Sequence, residues 1–364
     1  MIEINGRADL LSMNIPELEE FLASLGEPKY RAKQIFAWMH KGASLDEMTN
    51  LSKKLRETLA ERAVVNLPTV EQKLVSKLDG TVKYLFGLWD GNVIESVFMR
   101  YKHGNTICIS SEVGCPMGCR FCASTIGGLV RRLTPSELLG QVIAAERNMG
   151  ERISNIVMMG IGEPLDNFDN VLKFLSLVGD PNGLNIGSRH ISLSTCGLVD
   201  KIDELAKHDL QITLSISLHA ADDETRSSIM PVNNKWKIAE LLEACRRYFA
   251  VTGRRISFEY TLIAGKNDSP DYAQRLANTL RHGLLRNSQP FPIHVNLIPV
   301  NEVAETGFVR SSQDAVKRFS QVLEKNGINA TVRRKLGADI NASCGQLRRA
   351  KLAGDAASEN VDEN

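Results

Sequence analysis

The sequence contains no apolar run near the ~18 uninterrupted residues that a membrane-spanning helix needs, which excludes an integral helical membrane protein. Its opening residues, Met1-Ile2-Glu3-Ile4-Asn5, lack the basic segment and apolar stretch of a secretory leader, so a cytoplasmic protein is expected. Internal repeats are missing, which excludes solenoids and propellers. Strong net charge is missing too: the formal value is +1, so charge alone does not mark a nucleic-acid binder. A second Cys or His pair at zinc-finger spacing is also lacking.

What is present is a large hydrophobic share, 43% of 364 residues, sufficient for one large domain and a smaller one. Seven cysteines accompany it. In a reducing cytosol they are a poor basis for a disulfide framework, so each needs a chemical or a packing role. The basic groups Arg131-Arg132, Arg246-Arg247, Arg254-Arg255, Arg333-Arg334-Lys335 and Arg348-Arg349 are candidates for a phosphate-facing patch, with solvated helix and strand faces as the plain alternative. Acids gather at Asp355, Glu359, Asp362 and Glu363, and residues 351–364 are expected to form a disordered acidic tail.

Residues 1–65 read as a small helical module. Asn14 is placed to cap a helix with Pro16 in its first turn, apolar Leu18, Phe21, Leu22 and Leu25 at helical spacing, and Gly26 as its stop. A second helix is expected from Tyr30 to Lys41, and a third carries Leu51, Leu55 and Leu59. Residues 66–101 hold three strand-like runs separated by Asp79-Gly80 and Asp90-Gly91, dipeptides that suit tight hairpins, and so predict a three-stranded meander linking module to body. On its last strand the two-residue period puts Glu95 on the same face as Val93, Val97 and Met99. An inward charge guarding a sheet edge is one reading of Glu95; a functional carboxylate is the other. Residues 102–350 alternate short apolar strands with helical segments, the strands at 106–110, 155–160, 189–194, 211–218, 256–263 and 294–299. That alternation predicts a parallel α/β body, either an open doubly wound sheet or an incomplete barrel, with ligands at the C-terminal ends of the strands. Gly162, Glu163, Ser194, Ser217, His219 and Asn296 all fall there.

The string Gly114-Cys115-Pro116-Met117-Gly118-Cys119-Arg120-Phe121-Cys122 follows the first strand of that body. Three thiolates at this spacing can converge on one inorganic centre. Zinc would need a fourth ligand, for which Cys108 is available; an iron-sulfur cubane held by three cysteines keeps one iron open to a small molecule. Cys245, in an amphipathic helix with Leu241, Leu242 and Phe249, and Cys196 have packing roles as their plain reading.

The Cys-x3-Cys-x2-Cys motif with an aromatic residue before its last cysteine resembles the signature of the radical S-adenosylmethionine (SAM) superfamily. That resemblance implies an incomplete (β/α)6 barrel, a 4Fe-4S cluster on Cys115, Cys119 and Cys122, and an open iron that chelates SAM for cleavage to a deoxyadenosyl radical. It further implies cofactor contacts at Gly162 and Glu163 within Met158-Met159-Gly160-Ile161-Gly162-Glu163-Pro164, and at Ser194, Ser217, Leu218, His219 and Asn296. Longer strings, including Phe121-Cys122-Ala123-Ser124-Thr125, Ile229-Met230-Pro231-Val232-Asn233 and Asp339-Ile340-Asn341-Ala342-Ser343-Cys344-Gly345-Gln346-Leu347-Arg348, are similar to the dual-specificity 23S ribosomal RNA and transfer RNA adenine-C2 methyltransferases, the RlmN family, over nearly the whole chain. The likeness implies that Cys344 carries a methyl group from one of two SAM molecules used per turnover, that Cys108 resolves the protein–RNA adduct, and that Glu95 accepts a proton. It implies an RNA-docking role for the N-terminal module and an electron donor such as flavodoxin; a monomer is expected. Release by Cys108 would leave a Cys108–Cys344 disulfide, so their Cα atoms should approach within ~4.4–6.8 Å.

Chemistry agrees with such a pair. Carbon 2 of adenine is neither acidic nor nucleophilic enough for polar methyl transfer, and a thiolate attacks a sulfonium methyl well. An adenine target must lie in a loop or be extruded from its stack. Two alternatives stand beside this reading: a related methyltransferase acting on carbon 8 of the ribosomal adenine, and a non-catalytic RNA-binding protein with Cys108, Cys115, Cys119 and Cys122 around zinc. A methylthiotransferase would need further cluster cysteines ahead of Cys108, and that region has none.

Overall fold

The structure is a computed structural model that describes residues 1–285, 291–302, 306–340, 342, 345–349 and 351. Asn14 caps the helix Ile15–Ser24: its side chain accepts the Glu17 N–H at 3.0 Å while the Glu17 carboxylate takes the Asn14 N–H at 2.7 Å, a reciprocal closure of two otherwise orphaned donors. Leu18, Phe21 and Leu22 are buried beneath it. The second helix, Tyr30–Met39, ends two residues short of the expected Lys41, and the third spans Lys53–Arg62. The module shares its core with the body. Ser136, near the start of the helix Pro135–Met149, gives its N–H to Ser12 Oγ at 3.0 Å and accepts from Asn66 Nδ2 at 3.1 Å, so module and body meet through satisfied buried polar groups.

One ten-stranded sheet organises the remainder. The strands Gly104–Cys108, Asn155–Met158, Ile191–Thr195, Thr213–Ser217, Ile256–Leu262 and His294–Pro299 run parallel, as expected, with helices between them. A seventh parallel strand, Asn329–Val332, joins the far edge beside His294–Pro299. It is short and largely exposed, so it lacks the apolar run by which the other strands declare themselves. At the opposite side the meander strands Thr69–Val75, Val82–Gly87 and Val93–Tyr101 continue the same sheet antiparallel, Val93–Tyr101 pairing with Gly104–Cys108. The meander is thus part of the sheet wall as well as a link. Its last strand has partners on both sides, which overturns the edge-guarding reading of Glu95.

The fold is α/β, an incomplete barrel with helices outside. Several barrel strands alternate apolar residues facing the helices with polar ones facing inward, as in Ile256-Ser257-Phe258-Glu259-Tyr260-Thr261. Among the described residues no helix is long and apolar enough to cross a membrane.

Candidate active site

The three thiols sit on the loop that leaves the first parallel strand. Cys115 gives its N–H to the Gly128 carbonyl at 3.0 Å, Cys122 gives its own to the Cys119 carbonyl at 3.1 Å, and Thr125 Oγ1 donates to the carbonyls of Cys119 and Cys122. The Arg120 N–H goes to the Ile229 carbonyl at 2.9 Å, tying the loop to the helix Asp223–Ile229. Cys115 and Cys119 are buried and Cys122 half-buried; burial pushes the Cys119 thiol up to about 12 and Cys115 further, because a buried thiolate loses the solvent that steadies its charge. Among the described residues no three His, Cys, Asp or Glu side chains stand close enough to hold one metal ion. A tetrahedral zinc would need four ligands about a single point, whereas a cubane would offer each of the three thiolates an iron of its own. Cys108 packs with Val97 and Met99 and lines one cavity together with Cys122.

Register sets the inward polar face. Ser217 lies opposite Glu259, Glu259 opposite Asn296 and Asn296 opposite Thr331; a second row runs Ser194, Ser215, Ser257, His294. Asn296 Nδ2 donates to Glu259 Oε2 at 2.7 Å, and burial raises the Glu259 pKa. Leu218 is fully buried. His219 has a positive φ of 58°, and its Nδ1 accepts the Thr261 N–H at 2.9 Å, which leaves the ring proton on Nε2. Burial lowers its pKa to about 3, so the imidazole is neutral, and it meets Phe121 edge-on at 5.0 Å between centroids. The cofactor residues expected from the sequence therefore lie along the strand ends beside the cysteine loop.

Glu163 is almost fully buried. Its two carboxylate oxygens accept the N–H groups of Leu165 (3.0 Å) and Cys196 (2.7 Å), while its own N–H goes to Glu112 Oε2 at 2.8 Å. Gly162, with φ +111°, has no room for a side chain: a Cβ there would stand 2.5 Å from Ser111 Oγ and 2.7 Å from the Glu112 nitrogen. The backbone of 160–163 is thereby pressed against the segment that leads into the thiol loop. Burial and the neighbouring Asp166 and Glu163 raise the Glu112 pKa.

Glu95 is 1% exposed and forms an ion pair with equally buried Lys83 at 3.1 Å. Its carboxylate also accepts the N–H groups of Gly345 (2.8 Å) and Arg348 (2.7 Å). Cys344, Asn341 and Ser343 lie outside the described residues, as do 352–364 of the expected acidic tail, and so does the predicted Cys108–Cys344 approach. The flanking residues are placed: Ala342 packs with the group containing Cys108, Val97 and Met99, and Gly345, φ +81°, abuts Ala123 and Ser124 just after Cys122, so closely that a Cβ would meet them at 3.0–3.1 Å.

Several residues that build this site went unremarked in the sequence. Gln141 accepts from Ser110 N and Ser96 Oγ and donates to the Ser110 carbonyl; Asn167 donates to the carbonyls of Ser111 and Leu133. Gln141 was findable as the polar residue among Leu138, Leu139, Val142 and Ile143 on a buried helix face, and Glu259 as the acid on an alternating strand. The basic groups divide. Arg131 pairs with Asp90 and Glu137, Arg132 with Asp166, Arg246 with Glu243 and Arg247 with Asp203, and Arg348 turns its Nε to the Val93 carbonyl, which corrects their reading as a phosphate patch. Arg254 and Arg255 precede the strand Ile256–Leu262, at the end of the barrel away from the thiols. Arg333, Arg334 and Lys335 are exposed and, with Arg310, rim the cavity that contains Cys108, Cys122 and Phe121.

Comparison with known proteins agrees with this geometry. The Ribosomal RNA large subunit methyltransferase N-terminal domain matches residues 8–65, and the Radical SAM superfamily matches residues 109–276. A probable dual-specificity RNA methyltransferase RlmN of Clostridium novyi (strain NT) is 51% identical over 94% of this chain and 98% of its own length. One from Alkaliphilus oremlandii (strain OhILAs) is 53% identical over 95% and 99%. The crystal structure of a radical SAM methyltransferase from Sphaerobacter thermophilus superposes with a TM-score of 0.87 at 44% identity, covering 93% of this chain and 98% of that one. With relatives about half identical over nearly the whole chain and both family models matched, the chain belongs to the RlmN family of radical SAM RNA methyltransferases.

Proposed function

We propose that the protein methylates carbon 2 of adenine in 23S ribosomal RNA and in transfer RNA, with Cys344 as methyl carrier and Cys108 as resolving thiol. The observation that carries this reading is the placement of the chain on either side of residues 343–344: Ala342 beside Cys108, and Gly345 between Glu95 and the backbone that follows Cys122. In this reading Cys115, Cys119 and Cys122 hold a 4Fe-4S cluster, while the backbone at Gly162 and Glu163 and the polar groups at Ser194, Ser217, Leu218, His219 and Asn296 hold SAM. Together these groups supply electron transfer and radical chemistry at unactivated carbon.

The protein's own part is nucleophilic and positional. Cys344 would carry, as a thioether, the methyl group that SAM supplies, and the cluster and SAM would supply the radical chemistry that removes a hydrogen from that methyl and joins its carbon to carbon 2 of adenine. Cys108 would then attack the Cys344 sulfur: the sulfur–carbon bond breaks, its electron pair passes to the product as the carbon-2 hydrogen leaves as a proton and the new methyl carbon gains one, and a Cys108–Cys344 disulfide remains for cellular reductants to reset. Glu95 anchors the segment at Gly345 and Arg348, and it becomes available as proton acceptor when that segment moves. The basic rim at Arg310, Arg333, Arg334 and Lys335 meets phosphates; beyond it the surface continues past Lys317 into a groove of about 570 Å3 along the helix Gln313–Lys325. The N-terminal module docks the RNA, a flavodoxin-like protein supplies electrons, and the enzyme works as a monomer in the cytoplasm, where both RNAs are.

Mass spectrometry of RNA incubated with cluster-loaded protein, SAM and a reductant tests the regiochemistry: 2-methyladenosine is expected, and 8-methyladenosine would overturn it. In parallel, Cys344→Ala should lose both the protein-bound methyl label and the product; a variant still labelled would remove Cys344 from the mechanism.

A further inference from the structure

Arg226 is fully buried in the helix Asp223–Ile229. Its guanidinium donates from Nε to the Leu218 carbonyl (3.1 Å), from Nη1 to Asn233 Oδ1 (3.1 Å), and from Nη2 to the carbonyls of Cys196 (2.7 Å) and Ser217 (3.1 Å). Every acceptor is neutral, and among the described residues no carboxylate forms an ion pair with it; the Asp223 carboxylate acts on it only through space. A buried cation satisfied in its hydrogen bonds but not in its charge is an expensive object in a protein interior. Folds retain such a charge where an anion arrives to balance it.

The anion nearest to hand is the one the thiol loop would hold. The helix that carries Arg226 ends at Ile229, whose carbonyl takes the Arg120 N–H from inside the Cys119–Cys122 loop, and the short turn Pro231–Asn234 that follows supplies Asn233. The carbonyl of Cys196 ties the same guanidinium to the strand end whose N–H reaches Glu163. Three thiolates on a cubane carry net negative charge, and one-electron reduction adds another.

We propose that Arg226 is the built-in counter-charge of the cluster at Cys115, Cys119 and Cys122, and that it raises the potential at which the cluster accepts an electron from a low-potential donor. This rests on the reading that the three cysteines hold a cluster. Arg226 touches neither substrate nor reacting atoms and is a positioning residue in the electrostatic sense: it eases the step in which the donor is oxidised and the cluster reduced by one electron.

The test is a redox titration of anaerobically reconstituted protein, following the reduced cluster by electron paramagnetic resonance, with iron and sulfide counted in each sample. Arg226→Gln removes the charge. Asn233→Asp keeps the guanidinium and its carbonyl bonds and sets a carboxylate against Nη1; it gives up the Nδ2 bonds to the Asp223 carbonyl and Ser227 Oγ but cancels the charge with the arginine in place. Both variants are expected to hold a full cluster whose reduction constant falls at least tenfold, about 59 mV to the negative for a one-electron couple, while Arg226→Lys stays nearer the parent. A full cluster with unchanged potential in Asn233→Asp would overturn the counter-charge, as would equal shifts for Gln and Lys at position 226. A parent protein that takes up no iron and sulfide would instead overturn the cluster reading, and this inference with it.

Discussion

Cys108 ends its strand with a thiol 4% exposed among Val97, Met99, Leu336 and Ala342, a setting in which a small thiol packs well and is unreactive until a partner reaches it. If it resolves the RNA adduct, Cys108→Ala should leave protein and RNA covalently joined. Denaturing gel electrophoresis after reaction with labelled RNA should then show a slow band that the parent lacks; a clean lane would count against its role. His40 supports a residue-scale prediction of a different kind. It is buried between module and body, its Nδ1 accepts the Leu184 N–H at 3.3 Å, and its Nε2 has no partner. Burial lowers its pKa from 6.5 to about 4. The unfolded chain therefore binds this proton before the folded one does, so its stabilising effect is complete above pH 6.5 and is lost as pH falls toward 4, at ~1.4 kcal/mol per pH unit and on the order of 3 kcal/mol in all. Urea midpoints measured from pH 7 to 4 should decline less steeply in His40→Gln than in the parent; parallel curves would show that this histidine does not govern the acid slope.

At the scale of elements, the meander acts as a seat for the C-terminal segment. Asp79 accepts the Gly337 N–H at 2.9 Å, Asp339 takes Ser76 Oγ and the Lys77 N–H at 2.7 and 2.8 Å, and Glu95 holds Gly345 and Arg348. The fastening repeats one device, a carboxylate against backbone N–H groups, which is stronger than a neutral pair. Lys83 keeps the deepest of these carboxylates charge-balanced. Lys83→Met should strand a buried charge and destabilise the fold by about 3 kcal/mol, read as a lower urea midpoint, and limited trypsin digestion should cut the C-terminal segment sooner. Unchanged stability would mean that Glu95 finds its balance elsewhere.

For the whole molecule, a net charge of +1 hides an uneven surface. Two of the arginine pairs, Arg131-Arg132 and Arg246-Arg247, are neutralised by acids, whereas Arg333, Arg334 and Lys335 surround the cavity mouth with no salt bridge to a carboxylate among the described residues. Binding of RNA should weaken with salt in proportion to the phosphates met there. Replacing Arg334 and Lys335 together by Gln should flatten the plot of log affinity against log salt by about 2, roughly one per contact. The same change at Arg246 and Arg247, already paired with Glu243 and Asp203, should leave the slope unaltered. If both pairs flatten it equally, RNA follows another route.

The linear sequence determined the features that depend on local chemistry. Cys115, Cys119 and Cys122 put three thiols on one loop because their spacing is local, and Asn14, Pro16 and the Asp-Gly pairs mark helix start and hairpins because backbone geometry demands them. Alternating strands revealed the parallel sheet for the same reason. Tertiary structure alone decided what depends on distance in space: that Glu95 lies inside a ten-stranded wall and not at its edge, that Lys83 balances it, that Arg226 is buried without a carboxylate, and which arginines are already paired. A charge is worth what its surroundings make of it, and those surroundings come from residues tens to hundreds of positions away.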